Sequence, residues 1–524
     1  MKKILISLTI LAAMLVSSCA DFLDVNKDPN NPSEAAAHLR LPPILFNLHN
    51  RYGGSGTRTA MLTQQYGSPA SSTTNYGMLQ NWQWSNNVDI NTWQGWYVYI
   101  YVNIPKMYDE AKAVNANHYM GVARVLEAFG WAWVCDLYGY VVFNDALSKE
   151  TLTPNYDDAK DVYPKLYDML DEGIALLAAP QTTTLSPPLS VGDYMYNGDT
   201  GKWIKFAYAI KARLLNHMSK KSTYDPQKVL DFVDLSFISN ADNAEITSFE
   251  DGSNSAKWNV LYENSYDSKI AMGSSSIRYG KLFVDYLSNT YDGVDPLAYG
   301  EEDPRKPLMV AKQVKSGATH LYTNVIDLDL VGGANPIPKS NDSTYVSSMN
   351  TFWCKKDSPF AFMSFYELKF IEAEAAFRMG NTGRAHAAYL DGIKAHMERM
   401  GIPAGDITTY LGKPAIAQLP TDLTLSHIMI QKYITLFQNP EAWTDMRRCD
   451  YCLSGGQYDV VNGVYKGFKK PKYVHSNFSN ADDGNYVRRF QTAYTERYYN
   501  NENVRLIGGY DNSYTAKPIF WDEP

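Results

Sequence analysis

The sequence predicts a mainly α fold of paired helices. Apolar residues recur at spacings of three and four over several long stretches, which is the signature of helices with one buried face. One Gly-rich break divides two such stretches as a helix–turn–helix does. The middle of the chain, about 240–350, lacks the pattern and is rich in Ser, Asn, Asp, Gly and Tyr with repeated Pro, as expected of long irregular loops set into a helical body.

The N-terminus comes first. Met1-Lys2-Lys3 precedes an uninterrupted apolar-to-small run from Ile4 to Val16. A membrane-spanning helix needs about 20 such residues and an export signal only about 7 to 15, so this run fits an export signal. Val16-Ser17-Ser18-Cys19 has the spacing and side-chain sizes of a lipobox. Residues 1–18 are therefore expected to be a lipoprotein signal peptide, with lipidation at Cys19. Acyl chains bury about 0.8 kcal/mol per methylene, so a multiply acylated cysteine is anchored without a membrane helix. Residues 19–33, polar and Pro-punctuated, form the anchor and spacer, and 34–524 are expected to be a single helical domain with its loop-rich insertion at 240–350.

Within that domain Val122, Val125, Phe129, Trp133 and Leu137 form one stripe of a helix over 119–138. Val162, Leu166, Met169, Leu170, Ile174 and Leu177 mark a second over 161–178. Trp203, Phe206, Ile210 and Leu214 mark a third, and Val229, Leu230, Val233 and Phe237 a shorter fourth. A helix over 365–379 breaks at Gly380-Asn381-Thr382-Gly383 and restarts over 384–400, where Ala375, Ala385 and Ala388 let two antiparallel helices approach closely. This pair resembles a tetratricopeptide unit, although no strict 34-residue register repeats. A further helix is expected over about 423–438.

Composition narrows the function. With 48 Lys and Arg against 56 Asp and Glu, the net charge is −8 and no basic run offers a footprint for phosphate backbones, so no nucleic-acid partner is expected. The 39 tyrosines suit a surface that contacts flat or amphipathic ligands. None of the nine histidines has ligand spacing, and no nucleophile elbow or phosphate loop is present, so neither a metal, a cofactor nor a catalytic residue is assigned. A glycosidase needs only two suitably placed carboxylates and stays open as an alternative. Cys449 and Cys452 are spaced as CxxC without a second pair, which points to a local disulfide or two packed thiols. The acidic loop 292–303 lacks the calcium-loop pattern and reads as solvated.

Several landmarks occur in order: the lipobox cysteine and Asp21-Phe22-Leu23-Asp24-Val25; Gly121-Val122-Ala123-Arg124 opening a helix that closes on Asp136-Leu137-Tyr138-Gly139; the helix Trp203 to His217; Asp303-Pro304-Arg305; Phe365 to Ala375 with Arg378 and Gly380; Glu441 to Arg448; and Arg488-Arg489-Phe490 leading to Glu496 and Asn500. Together they resemble the SusD/RagB family of surface lipoproteins, nearer its SusD-like branch. The resemblance implies tetratricopeptide-like helix pairs in a right-handed superhelical scaffold, with long irregular loops carrying the ligand site. It implies a surface-exposed, lipid-anchored place in the outer membrane and a SusC-like TonB-dependent transporter as partner. It implies a non-catalytic protein that captures oligosaccharides, with peptide capture by a RagB-like lid as the alternative. Glu374, Trp443, Asp445 and Arg447 belong to the motifs and are expected to make structural contacts.

A sugar ring offers an apolar face edged by hydroxyls, so its site needs exposed aromatic rings among amides and carboxylates. Asn75, Tyr76, Trp82 and Trp84 fit that chemistry, because two Trp spaced by two share one face of an extended segment. Trp258 and Tyr266, with Tyr262 between them, form a second candidate in polar surroundings, and Trp353 ranks below them. Trp93 and Trp96, leading into Val98, Ile100 and Val102, are expected to face the core.

Overall fold

A computed structural model describes residues 35–68, 75–84, 90–262, 278–293, 301–310, 351–478 and 484–524. The expected export signal 1–18, the expected anchor and spacer 19–33 with Cys19, and Tyr266 lie outside them. The principal helices are α1 Ala37–Leu62, α2 Ile104–Ala113, α3 Asn117–Tyr138, α4 Ala159–Ala178, α5 Thr200–His217, α6 Pro226–Asp234, α7 Lys281–Ser288, α8 Phe365–Arg378, α9 Thr382–Arg399, α10 Leu425–Thr435 and α11 Glu441–Arg448. Neighbours in the chain pack on one another, α3 on α4, α4 on α5, α5 on α6 and α8 on α9. The expected mainly α, tetratricopeptide-like architecture is thus the observed one.

Side-chain caps set where these helices begin. Asp158, Asp199, Asp225, Ser364 and Asn381 each accept a backbone N–H from the first turn that follows, occupying donors that a helix start leaves unpaired. Thr424 and His427 cap one another reciprocally at the start of α10. These caps move the observed starts of α4, α5 and α9 three residues ahead of the first apolar stripe residue.

The 26-residue helix α1 has no counterpart among the sequence expectations. Pro42, Pro43, Gly53, Gly54 and Gly56 lie inside it and conceal its period. The glycines answer a packing demand. A Cβ on Gly56 would stand 1.9 Å from the Gln438 carbonyl oxygen, and one on Gly53 would stand 2.4 Å from Val260 Cγ1. Each glycine costs a helix roughly 0.5–1 kcal/mol relative to alanine, and here it lets α1 approach the chain at Val260 and at Gln438 closely.

The interval 240–350 also differs from expectation, for it contains α7, whose Leu282, Phe283, Tyr286 and Leu287 are buried. At eight residues it is too short to show a sustained period. It ends on Asn289 in the left-handed region at φ 50°. Among the described residues the strands are short and form four two-stranded antiparallel ribbons: β1 Tyr66–Gly67 with β5 Arg278–Tyr279, β2 Tyr140–Val141 with β3 Asp157–Asp158, β4 Ala244–Ile246 with β6 Phe360–Met363, and β7 Leu453–Ser454 with β8 Gln457–Tyr458. The pairing of β4 with β6 brings the segment after residue 246 beside that before 360, which positions the candidate site.

Candidate functional site

Trp258 follows a 3-10 turn, Ser255–Lys257, whose start is capped by the Asn254 side chain accepting from Ala256 N–H at 3.1 Å. The indole is half-buried, and its orientation is fixed on several sides. Its Nε1 donates to the Gly252 carbonyl oxygen at 2.8 Å. The Lys356 ammonium stands 4.5 Å from the ring centroid, and Tyr262 meets the ring edge-on at 5.3 Å. Beneath this group Asn259 is fully buried. Its backbone N–H donates to the Lys356 carbonyl at 2.8 Å and its amide donates to the Ser358 carbonyl at 2.9 Å, which ties the two segments of the site together. Around it Lys257 pairs with Glu250 at 2.7 Å and Lys356 reaches Asp251 at 3.6 Å. A partly exposed aromatic ring, held rigidly among exposed carboxylate, amide and hydroxyl groups, is an arrangement suited to stacking and hydrogen bonding of a polyhydroxylated ligand.

The Asn75–Trp84 segment departs from expectation. Asn75 opens the short helix Asn75–Gln80, and Tyr76 is half-buried against the core. Gln80 clamps Ser68 by accepting its N–H at 2.8 Å and donating to its carbonyl at 3.0 Å. The chain then turns, with Trp82 at φ 57° rather than in an extended conformation. Trp82 is only 1% exposed and packs on Phe478 and Tyr486 at 5.3 and 5.2 Å. An open platform shared by Trp82 and Trp84 is therefore not formed. The turn sends the first ring inward and leaves Trp84 half-buried, its indole 4.7 Å from Phe490. Trp93 and Trp96 are in the core, as expected, and Trp353 is buried, stacked on His396 with centroids 5.8 Å apart. Among the described residues Trp84 and Trp258 share no ring neighbour.

Sequence spacing gave no sign of Lys356 beside Trp258, because the two are nearly a hundred positions apart. It also missed a buried cluster of Asp136, His217 and Glu441, brought together from α3, α5 and α11. His217 Nε2 lies 2.9 Å from Glu441 and Nδ1 lies 3.5 Å from Asp136. Tyr163 donates to Asp136, as does Trp521 Nε1 at 2.9 Å, while Arg213 reaches Glu441 at 3.8 Å. Burial pushes the Asp136 carboxyl up to about 6. Burial acts the same way on Glu441 but is outweighed by Arg213 and His217, which hold it down to about 2. Both imidazole nitrogens already face carboxylates, so the cluster is a hydrogen-bonded junction that ties the chain end at Trp521 to three helices.

The motif residues expected to be structural are so placed. Glu374 is fully buried and accepts from Arg448 on both oxygens, from Arg378 at 2.9 Å and from Asn216 at 2.9 Å. Asp445 pairs with Lys432 at 2.9 Å and with Arg448 at 2.7 Å. The Arg447 guanidinium lies between the Trp443 and Trp521 rings, 3.8 and 4.8 Å from their centroids. Cys449 and Cys452 are buried free thiols, and burial pushes Cys449 up to about 11, out of the reactive range. In the acidic loop, Asp292 pairs with Lys469 and Asp303 with Arg305, so both ends are neutralised by cations.

No helix among the described residues is long and apolar enough to cross a membrane. No curated protein shows a significant sequence match. Solved structures match over nearly the whole chain. A SusD/RagB family protein from Bacteroides thetaiotaomicron superposes with a TM-score of 0.70 at 20% identity, covering 93% of this chain and 99% of that one. A SusD homologue from Bacteroides uniformis gives 0.67 at 19%, covering 93% and 99%. A chitin-binding SusD homologue from Flavobacterium johnsoniae gives 0.66 at 19%, covering 93% and 98%. These likenesses establish the fold. The family model described as SusD-like, starch-binding and associating with the outer membrane matches residues 29–460, and the chain belongs to that family.

Proposed function

We propose that the protein is a non-catalytic, lipid-anchored glycan-binding protein of the cell surface that captures oligosaccharides and delivers them to a SusC-like TonB-dependent transporter in the outer membrane. The observation that carries the glycan reading is the Trp258 indole, half-buried and fixed by Gly252, Lys356 and Tyr262. A rigid ring loses little conformational freedom when a sugar stacks on it, so the apolar area removed from water, at roughly 25 cal/mol per Å², is offset by little ordering cost. Glu250, Asp251, Asn254 and Ser255 stand exposed around the ring as partners for sugar hydroxyls. Tyr76 and Trp84, half-buried, are the remaining ligand candidates on the first segment, and Asn75 and Tyr266 complete the proposed set. Lipidation at Cys19 follows from the lipobox spacing.

The test is a binding screen of the chain lacking residues 1–19 against polysaccharides and peptides by affinity electrophoresis and calorimetry. Chitin oligosaccharides enter it first, because a structural neighbour is a chitin-binding protein. Binding of a glycan, weakened by Trp258→Ala, supports the reading. Binding of peptides alone, or hydrolysis of a glycan that a carboxylate substitution abolishes, overturns it.

A further inference from the structure

A cavity of about 320 Å³ opens between α4, the end of α5, the start of α6 and the chain end, on elements that the Trp258 group does not use. It forms where α4 packs on α5 and α5 on α6, with the 3-10 turn Phe520–Asp522 laid against α4. Its walls are apolar. Tyr163 is buried, and Tyr167, Leu215, Met218 and Phe520 are half-buried around the same space. Phe520 meets Tyr163 edge-on, with centroids 4.9 Å apart and the planes at 79°, and the Tyr163 hydroxyl is held from behind by Asp136. Voids larger than a water molecule are few in packed proteins, and this one falls at the lower end of small-ligand sites, about 300 to 1,000 Å³.

The charged groups that line the cavity are cations. Lys160, in the first turn of α4, and Lys228, in the first turn of α6, are both exposed there, and among the described residues no carboxylate lines it. Lys228 forms no ion pair among the described residues, its ammonium lying 5.9 Å from the Phe232 ring, and Lys160 reaches Asp158 only at 4.0 Å. The acids nearby are engaged elsewhere: Asp158 and Asp225 accept the backbone N–H groups of Lys160 and Lys228 as helix caps, at 2.9 and 3.0 Å, and Asp231 accepts from the Gln227 amide at 2.8 Å. The Tyr167 hydroxyl is buried and has no hydrogen-bond partner among the described residues. Buried hydroxyls nearly always have one, so Tyr167 brings an unused donor to the cavity wall. Lys160 and Tyr167 stand two turns apart on α4, about 10 Å along its axis, which sets exposed ammoniums at one end and a buried phenol at the other. A sugar, hydroxylated on every edge, would leave its hydroxyls unpaired against such walls. A flat apolar body with an anionic head and one acceptor at its far end would not.

We propose that this cavity is a second binding site, for a small hydroxyaryl carboxylate whose ring lies among Tyr163, Met218 and Phe520, whose carboxylate meets Lys160 and Lys228, and whose ring hydroxyl accepts from Tyr167. The full-length chain, held in lipid nanodiscs so that no detergent competes for the cavity, is titrated calorimetrically with para-hydroxyphenylpropionate, phenylpropionate and phenylpropanol. The wild type should bind the hydroxylated acid saturably, in the millimolar range or tighter, and phenylpropanol about tenfold more weakly. Replacing both lysines, Lys160→Gln with Lys228→Gln, should bring the acids down to the level of the alcohol. Tyr167→Phe removes only a hydroxyl without a partner, so the fold is kept, and it should weaken the hydroxylated acid to the level of phenylpropionate while leaving phenylpropionate unchanged. No saturable binding of either acid by the wild type overturns the site, as does an affinity that the lysine variant retains in full. Equal affinity of the wild type for phenylpropanol overturns the anionic class, and an unaltered preference for the hydroxylated acid in Tyr167→Phe overturns the assignment of its ring hydroxyl to Tyr167.

Discussion

His49, midway along α1, accepts the backbone N–H of Val260 on Nε2 at 3.1 Å, two residues beyond Trp258. The imidazole sits between Phe249 and Phe360, with centroids at 4.6 and 4.7 Å. Burial pushes its pKa down to about 3, so the ring is neutral at ordinary pH and keeps the lone pair that the contact needs. His49→Phe fits the apolar surroundings but leaves the Val260 N–H unpaired, a loss of about 1–3 kcal/mol. His49→Gln, whose amide oxygen can accept, is expected to lose less. Hydrogen exchange over residues 258–262 should quicken in His49→Phe, and unchanged exchange there would show that His49 does not restrain the Trp258 loop.

Protons also separate the buried acid Asp136 from its surroundings. Its carboxyl is raised by burial to about 6, above the ordinary 3.8. The folded chain therefore holds a proton between about pH 4 and 6 that the unfolded chain has released, and the associated stability is present below about 4 and lost as pH rises through 6. Asp136→Asn removes this decline while keeping an oxygen to accept from Trp521 and Tyr163. Urea unfolding at pH 4, 5, 6 and 7 should show the variant gaining on wild type as pH rises. A constant difference across that range would mean that Asp136 does not titrate there.

The Glu374–Arg448 pair has the opposite sign. Burial would raise the carboxyl, but Arg448 and then Arg378 outweigh it and hold Glu374 well below the usual carboxylate range. Its stabilisation is complete above about pH 4.5 and is lost on acidification. Glu374→Gln leaves Arg448, fully buried, with Asp445 as its remaining counter-charge, and breaking a buried pair costs about 3–5 kcal/mol. Replacing both residues with apolar side chains of similar size should recover much of that loss. Chemical denaturation of the single and double variants measures the difference, and equal losses in both would contradict it.

These three relationships mark the limit of what the sequence discloses. The stripe from Val122 to Leu137 revealed α3 because helix period is local, and the Gly380 break revealed the α8–α9 turn for the same reason. By contrast, α1 is built on glycines whose purpose is the approach of Gln438 and Val260, hundreds of residues later. His49 with Val260, and Asp136 with His217 and Glu441, are likewise long-range pairings that no spacing encodes. At the candidate site the composition around Trp258 was legible, whereas Lys356 over its ring was not. Trp82 was misjudged for a local reason: alternate residues share a face only in extended chain, and a positive φ at Trp82 breaks that alternation.

That difference between the two indoles yields the most direct comparison. Trp82 is enclosed by Phe478 and Tyr486, so Trp82→Ala opens a cavity and should cost about 3–5 kcal/mol of stability, with any loss of ligand binding following from the fold. Trp258 is only half-buried, so Trp258→Ala should shift stability by about 1 kcal/mol or less and weaken the glycan by about tenfold or more, ~1.4 kcal/mol. Lys356→Ala removes the ammonium that fixes the ring and should fall between wild type and Trp258→Ala in affinity. Thermal unfolding and calorimetry on the three variants distinguish a core indole from a ligand-facing one. Normal glycan affinity in Trp258→Ala at an unchanged thermal midpoint would move the binding site away from this loop and leave Tyr76 and Trp84 as the side chains to substitute next.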